Sequence, residues 1–172
     1  MNAGPRDRYG RWAIVLHWIS AALIVIMFVL GQAMEDADAA TRLQVLRIHA
    51  PLGIVVLVLT LVRLWRRQRE PLPEDLAGPR WQQRLARIVH VGFYVVLLGL
   101  TSSGIATIAL AGGPAVLMGA DGPLARFDSP AAAAHGVFVR LIVLLFLLHV
   151  VAALYHQFVR RDHILARMGI GR

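Results

Sequence analysis

The chain contains no cysteine and no lysine, and charged residues make up only 16% of its 172 positions. Without cysteine there is no disulfide, no thiolate-bound zinc, no iron–sulfur cluster and no thiol nucleophile. Hydrophobic residues reach 58% and the mean hydropathy is +0.62, whereas soluble domains average about 45–50% hydrophobic residues. This composition excludes a soluble enzyme, a disordered tail and a collagen-like fibre, and indicates a membrane protein.

Four apolar segments are long enough to cross a bilayer, whose hydrocarbon core of about 30 Å needs about 20 residues per helix. They are residues 12–34, 43–65, 84–110 and 131–159. We therefore predict an all-α integral membrane four-helix bundle, with residues 1–172 forming a single transmembrane domain. Ala37-Asp38-Ala39 resembles a signal-peptide cleavage site, but the first apolar segment is longer than the roughly 7–15 residues of a signal peptide.

The placement of arginine predicts the orientation of the bundle. Residues 1–11 hold three arginines, residues 63–87 hold seven and residues 157–172 hold four, all on one side of the four spans. The opposite side has only Arg42, Arg47 and Arg126. Because basic residues accumulate in cytoplasmic segments, we expect both termini to be cytoplasmic and the partner of this basic chain to be membrane lipid rather than nucleic acid.

Four of the seven histidines form pairs at two depths. At a rise of about 1.5 Å per residue, His17 and His149 lie about 9–10 Å inside the terminal side, and His49 and His135 about 7–11 Å inside the opposite side. His135 and His149 are 14 residues apart, close to four helical turns, so both project from nearly one face. Two haems stacked across the membrane need this arrangement, with one imidazole on each side of each iron. We predict two such haem sites.

The residues alone leave alternatives for the ligands. Buried histidines bonded to backbone or to one another would need no metal, and the spacing scatters them too far for one tetrahedral zinc ion. His90 lies early in the third span, near the level of His17, and could replace it as a ligand.

Four residues are candidates for contacts with a haem propionate or a quinone, and His90 is one of them. His156 lies two turns beyond the last ligand of the fourth span, at the rim of the bundle. Arg63 lies at the depth of His17 and His149. Arg140 lies deep in the fourth span, where a charge needs a partner. Either guanidinium could pair with a propionate by charge-assisted hydrogen bonds, although Arg63 could equally be a positive-inside anchor.

Several short motifs follow one another along almost the whole chain. In order they are Arg8-Tyr9, Leu16-His17-Trp18, His49-x-x-x-Gly53, Arg63-Leu64-x-Arg66, Leu85-Ala86-x-x-x-His90, the His135/His149 pair, Ala153-Leu154-x-His156-x-Phe158-x-x-Arg161-Asp162, and Arg167-Met168. Together they resemble the bacterial cytochrome b561 family, four-helix dihaem proteins of the bacterial inner membrane. The resemblance assigns the ligand roles to His17, His49, His135 and His149, and so favours His17 over His90.

The resemblance also implies a function. Members of this family exchange electrons between haem b and the quinone pool, and one branch oxidises superoxide and reduces ubiquinone. It implies two haem b groups, ubiquinone as a substrate near His156, and superoxide or a periplasmic or membrane redox protein as donor. The alternative is a non-enzymatic carrier subunit that relays electrons between quinol and a partner. The chain departs from the common family pattern at Gly136, Arg140 and Gln157.

Overall fold

The computed structural model describes residues 8–69, 79–118 and 129–171. Its helices are α1 (Arg11–Glu35), α2 (Ala39–Arg69), α3 (Arg80–Leu110), α4 (Pro114–Leu117), α5 (Pro130–Leu154) and α6 (Ile164–Arg167), with a π-helical segment, Tyr155–Arg160, that continues α5. Four helices are long and apolar enough to cross a membrane, and the described residues include no strand. The predicted all-α membrane bundle is confirmed. Arg126 and residues 70–78, in the connection between the second and third spans, lie outside the described residues.

The first and last described segments meet at one end of the bundle. The backbone N–H of Tyr9 donates to the carbonyl oxygen of Arg167 over 3.3 Å, and the indole Nε1–H of Trp18 donates to the carbonyl oxygen of Met168 over 2.9 Å. We call this the terminal end, and the end that carries the α1–α2 turn the far end.

The turn between α1 and α2 is held by two charged side chains. The Oδ1 atom of Asp38 accepts hydrogen bonds from the backbone N–H groups of Ala40 and Thr41, both 2.9 Å long, which caps the first turn of α2. Hydrogen bonds from the Thr41 backbone and hydroxyl hold the pKa of Asp38 below its ordinary value. The guanidinium of Arg42 donates to three carbonyls at the end of α1, those of Met34, Glu35 and Ala37. Backbone groups at the end of α1 and at the start of α2 therefore have side-chain hydrogen-bond partners.

The helices pack as two antiparallel hairpins. α1 lies along α2, α3 lies along α5, and α2 joins the hairpins by packing on α3. Among the described residues, α5 has no extensive backbone contact with α1 or α2. α5 and the α1–α2 hairpin therefore meet through side chains, and we call the space between their backbones the cleft.

The buried core lies at the middle depth of the bundle. Val56, Val96, Leu97 and Ile142 form it, and Phe93 and Phe138 pack against it. Most other large apolar side chains face outward, Val95 and Ile88 among them at 60% and 66% exposure. An outward apolar surface over four long helices is what a bilayer requires of a spanning protein.

Candidate haem-binding sites

One pair of imidazoles faces across the cleft near the far end. The ring centroids of His49, on α2, and His135, on α5, are 6.4 Å apart, with an angle of 69° between the ring planes. The Nδ1 atom of His49 is buried and has no hydrogen-bond partner in the described part of the chain. A structural histidine would bond its ring to the backbone, so the free ring of His49 favours a ligand role. We call this the far pair.

The ring of His135 is held from α3. Its Nδ1 lies 2.9 Å from the carbonyl oxygen of Leu100 and 3.3 Å from the hydroxyl of Ser103. An Nδ1–H that donates to the carbonyl leaves Nε2 as the nitrogen with a free lone pair, the usual arrangement around a metal-ligating histidine. Gly104 makes room for this ring, because a Cβ atom there would lie 3.2 Å from Cε1 of His135.

Three imidazoles meet near the terminal end. The ring centroids of His17, on α1, and His149, on α5, are 6.1 Å apart, with 57° between the planes. His90, on α3, also approaches His149, with the centroids 5.6 Å apart. The structure therefore brings together both candidates for the second ligand, and the distances alone do not choose between them. We call His17 and His149 the terminal pair.

Aromatic and cationic groups surround the terminal pair. Phe93 and Trp18 approach His149 and His17 edge-on, with centroid separations of 5.5 and 5.1 Å. The Nη2 atom of Arg63 lies 3.3 Å from Nδ1 of His17. A neutral histidine that binds metal through Nε2 carries a proton on Nδ1, so the guanidinium would then need another acceptor. A propionate carboxylate is such an acceptor.

These two pairs fit haem. An iron bonded to two imidazole nitrogens at about 2 Å each sets the ring centroids roughly 6 Å apart, as observed for both pairs. Among the described residues, no group of three or more histidine or carboxylate side chains is arranged to hold a metal ion by itself. The cleft and its pairwise imidazoles thus suit an iron whose other four ligands come from a porphyrin.

A distinct polar cluster lies where α5 ends at the terminal end. Nδ1 of His156 and Oδ2 of Asp162 are 2.6 Å apart. The chain turns back over this contact through Arg161 and His163, which take positive φ angles of 56° and 54°. Irregular π-helical turns and left-handed non-glycine residues are costly and concentrate at functional sites. The other carboxylate oxygen, Oδ1 of Asp162, is buried and has no partner among the described atoms.

Among the described residues, neither Arg47 nor the candidate Arg140 makes a hydrogen bond to the imidazoles of either pair. Nε of Arg47 donates to the carbonyl oxygen of Leu117 over 2.7 Å, which fixes α4 against α2 at the far end. Arg140 is exposed on α5, and it makes no hydrogen bond or ion pair within the described part of the chain. The structure does not bring Arg140 to either imidazole pair.

Two neighbours of the far pair escaped the sequence-based prediction. The carbonyl of Leu100 is a backbone atom and has no sequence signal, and Ser103 is an ordinary helix residue until α3 is placed against His135. Asp162 stands within a motif that the resemblance uses, and its spacing of six from His156 is the one signal that pointed to it.

A four-helix membrane bundle with facing imidazole pairs is the architecture of a membrane-bound b-type cytochrome. The chain belongs to the prokaryotic cytochrome b561 family, whose sequence profile matches residues 8–171. This confirms the resemblance found in the motifs. The chain is therefore a multi-pass membrane protein of electron transport.

Individual relatives match over nearly their whole length. The chain is 33% identical to cytochrome b562 of Cereibacter sphaeroides, over 93% of this chain and 94% of that protein. It is 29% identical to cytochrome b561 homolog 1 of Escherichia coli K12, over 94% and 97%. It is 28% identical to the probable superoxide oxidase CybB of Yersinia pestis, over 94% and 95%.

A pair of glycine substitutions tests the packing of the far pair. We expect Gly104→Ala to weaken haem binding there by about 10- to 100-fold, because the new methyl group pushes His135 from the Leu100 carbonyl. Gly136→Ala, on the neighbouring helix, is the matched control, since its Cβ meets nothing within 4 Å. Titration of each purified apoprotein with haem measures the haem affinity of both variants. Equal affinities for the two variants would contradict this arrangement.

Proposed function

We propose that this chain is a dihaem cytochrome of the bacterial inner membrane that passes single electrons from its far end to ubiquinone at its terminal end. The observation that carries the proposal is the two facing imidazole pairs, at opposite ends of the bundle, with centroid separations of 6.1 and 6.4 Å. Haem b, when bound, supplies reversible one-electron chemistry at iron. Two histidine ligands per iron leave no open position, so the substrates would react at the edges of the sites without binding iron.

Each site has its own support in the protein. At the far pair, the Leu100 carbonyl holds the tautomer and orientation of His135. At the terminal pair, Arg63 brings a positive charge beside His17 that can pair with a propionate.

Quinone reduction needs protons, and the His156–Asp162 contact lies where they can enter. With Nδ1–H of His156 donating to the carboxylate of Asp162, Nε2 is the ring nitrogen left to serve a quinone oxygen. Asp162, at the surface turn, can pass replacement protons from solvent. Two electrons and two protons convert one ubiquinone to ubiquinol.

Superoxide is the electron donor that we propose. Two superoxide ions would each lose one electron at the far end and leave as two molecules of oxygen. Arg42 and Arg47 lie at that end beside Glu35, Asp36 and Asp38, so the charge there gives an anion little steering. The similarity to a probable superoxide oxidase, at 28% identity over 94% of this chain, supports this choice.

The test is a haem-to-protein ratio of the purified chain, followed by rapid mixing of the oxidised protein with superoxide and ubiquinone. We expect two haems per chain and superoxide consumption that depends on ubiquinone. No bound haem would overturn the proposal entirely. Two haems that superoxide cannot reduce would overturn the superoxide step alone.

A second candidate is a carrier subunit that relays electrons between quinol and a partner membrane protein. Arg140, which is exposed and has no partner among the described residues, favours it, because a charge on the lipid-facing surface indicates a neighbour within the membrane. Reduction of both haems by quinol, with no response to superoxide, would support this function instead.

A further inference from the structure

Arg140 lies well inside the fourth membrane span, Pro130–Arg160. It stands ten residues after Pro130, where α5 begins, and fourteen before Leu154, where α5 ends. At a rise of about 1.5 Å per residue it is about 15 Å from the first residue of the helix, half of a hydrocarbon core of about 30 Å. Its side chain is exposed, and nothing in the described part of the chain bonds to it. Such a charge needs a partner.

The haem sites do not supply that partner. Arg140 and His149 are nine residues apart on one helix, which is two and a half turns, so they project from opposite faces of α5. The face of Arg140 points away from the cleft. Its neighbours along that face are apolar and exposed, among them Val137 at 50%, Leu144 at 53% and Val151 at 63%.

No carboxylate among the described residues lies at this depth. Of the acidic residues of the chain, only Glu35 falls within the four membrane spans, and it is the last residue of α1, at the far end. A molecule beside this face within the membrane can supply the counter-charge that Arg140 needs.

We propose that the face of α5 around Arg140, lined by Val137, Leu144 and Val151, binds a transmembrane helix of a different membrane protein that carries an aspartate or glutamate at mid-membrane depth. Charge complementarity selects this occupant: a carboxylate there satisfies the guanidinium by a bidentate pair in a medium of low dielectric. Gly136, one turn before Arg140, has open space where a side chain would be, which lets a second helix approach closely.

A second copy of this chain is the wrong occupant for the same reason. Two copies inserted in the same direction would pair this face about a two-fold axis along the membrane normal. That symmetry sets both Arg140 side chains at one depth and close together. Like charges in a low-dielectric medium repel strongly, so the face disfavours a homodimer.

A model helix tests the proposal without knowledge of the natural partner. The probe is a synthetic leucine–alanine transmembrane peptide with aspartate at its centre, compared with peptides that carry asparagine or leucine there. The purified haem-loaded protein is labelled at Met118→Cys, which is 84% exposed and would be the single cysteine of the chain. The association of each peptide with the labelled protein in phosphatidylcholine vesicles is then measured by energy transfer at neutral pH.

We expect the aspartate peptide to bind at least tenfold more tightly than the leucine peptide, and Arg140→Gln to remove this preference. Arg84→Leu, which removes an exposed arginine near the start of α3, should retain it. Equal binding of the three peptides, or a preference that survives in Arg140→Gln, would overturn the proposal. So would an asparagine peptide that binds as tightly as the aspartate peptide.

Two further outcomes would give Arg140 a different partner. Disulfide-linked dimers of a Val137→Cys variant in vesicles, formed in high yield, would make a second copy the occupant. A lower haem content in Arg140→Gln would make the partner a haem propionate of this chain. Either result would overturn the proposal, and neither depends on which donor or quinone the cytochrome uses.

Discussion

Replacing His149 with alanine is expected to lower the haem content from two to about one per chain and to abolish electron transfer from the far end to quinone. His149 is the imidazole that both His17 and His90 approach, with ring centroids 6.1 and 5.6 Å away. Its loss removes one of the two iron–imidazole bonds at the terminal site, whichever residue supplies the other. The far pair is built from other residues and should keep its haem.

The same measurement decides between His17 and His90. If His17 is the second ligand, His17→Ala loses the terminal haem and His90→Ala retains it, with at most a shift in the spectrum. His163→Ala is the matched control, because His163 is exposed in the tail beside α6. The readouts are the haem-to-protein ratio and the reduced-minus-oxidised spectrum of monodisperse protein. Loss of haem from the His90 variant alone would replace the terminal pair with His90 and His149.

The helical repeat explains why the sequence predicts so much of this site. Four apolar spans fix the direction of the chain at every residue, and the rise per residue then gives the depth of each histidine. Depth by itself groups His49 with His135 and His17 with His149. The structure brings these same residues to centroid separations of about 6 Å.

Depth does not give the rotation of one helix against another. His90 and His17 share a level, so only the packing of α3 against α5 shows that both approach His149. Arg140 illustrates the converse: its spacing of nine residues from His149 places it on the opposite face of α5, which faces outward because His149 faces the cleft. Contacts with backbone atoms, such as the Leu100 carbonyl at His135, have no sequence signal at all.

The tail shows a third limit. The His156–Asp162 contact depends on a π-helical turn and two left-handed residues, Arg161 and His163. Positive φ angles are uncommon in residues other than glycine, and arginine gives no signal of one. A regular helix continued through residue 162 would carry Asp162 away from His156, since residues six apart do not share a face. The sequence motif therefore identifies both residues without showing that they touch.

His156→Gln is expected to slow ubiquinone reduction by about 10²- to 10⁴-fold, the usual contribution of a general acid, while haem content stays unchanged. Asp162→Asn should give a smaller loss, because it removes the carboxylate that orients the ring and leaves the imidazole in place. Since the two residues form one unit, the double variant should be little worse than His156→Gln. Val159→Ala, in the same segment and 66% exposed, is the control and should be unaffected.

The choice of electron acceptor distinguishes a proton-transfer role of His156 from a structural one. Ferricyanide takes an electron without a proton, so electron transfer to it should proceed at the unaltered rate in both variants, whereas ubiquinone reduction should fail. A structural defect at the terminal end would slow both acceptors together and would contradict the role given to His156. Because Nδ1 of His156 is occupied by Asp162, the proton delivered to quinone must come from the opposite side of the ring, at Nε2.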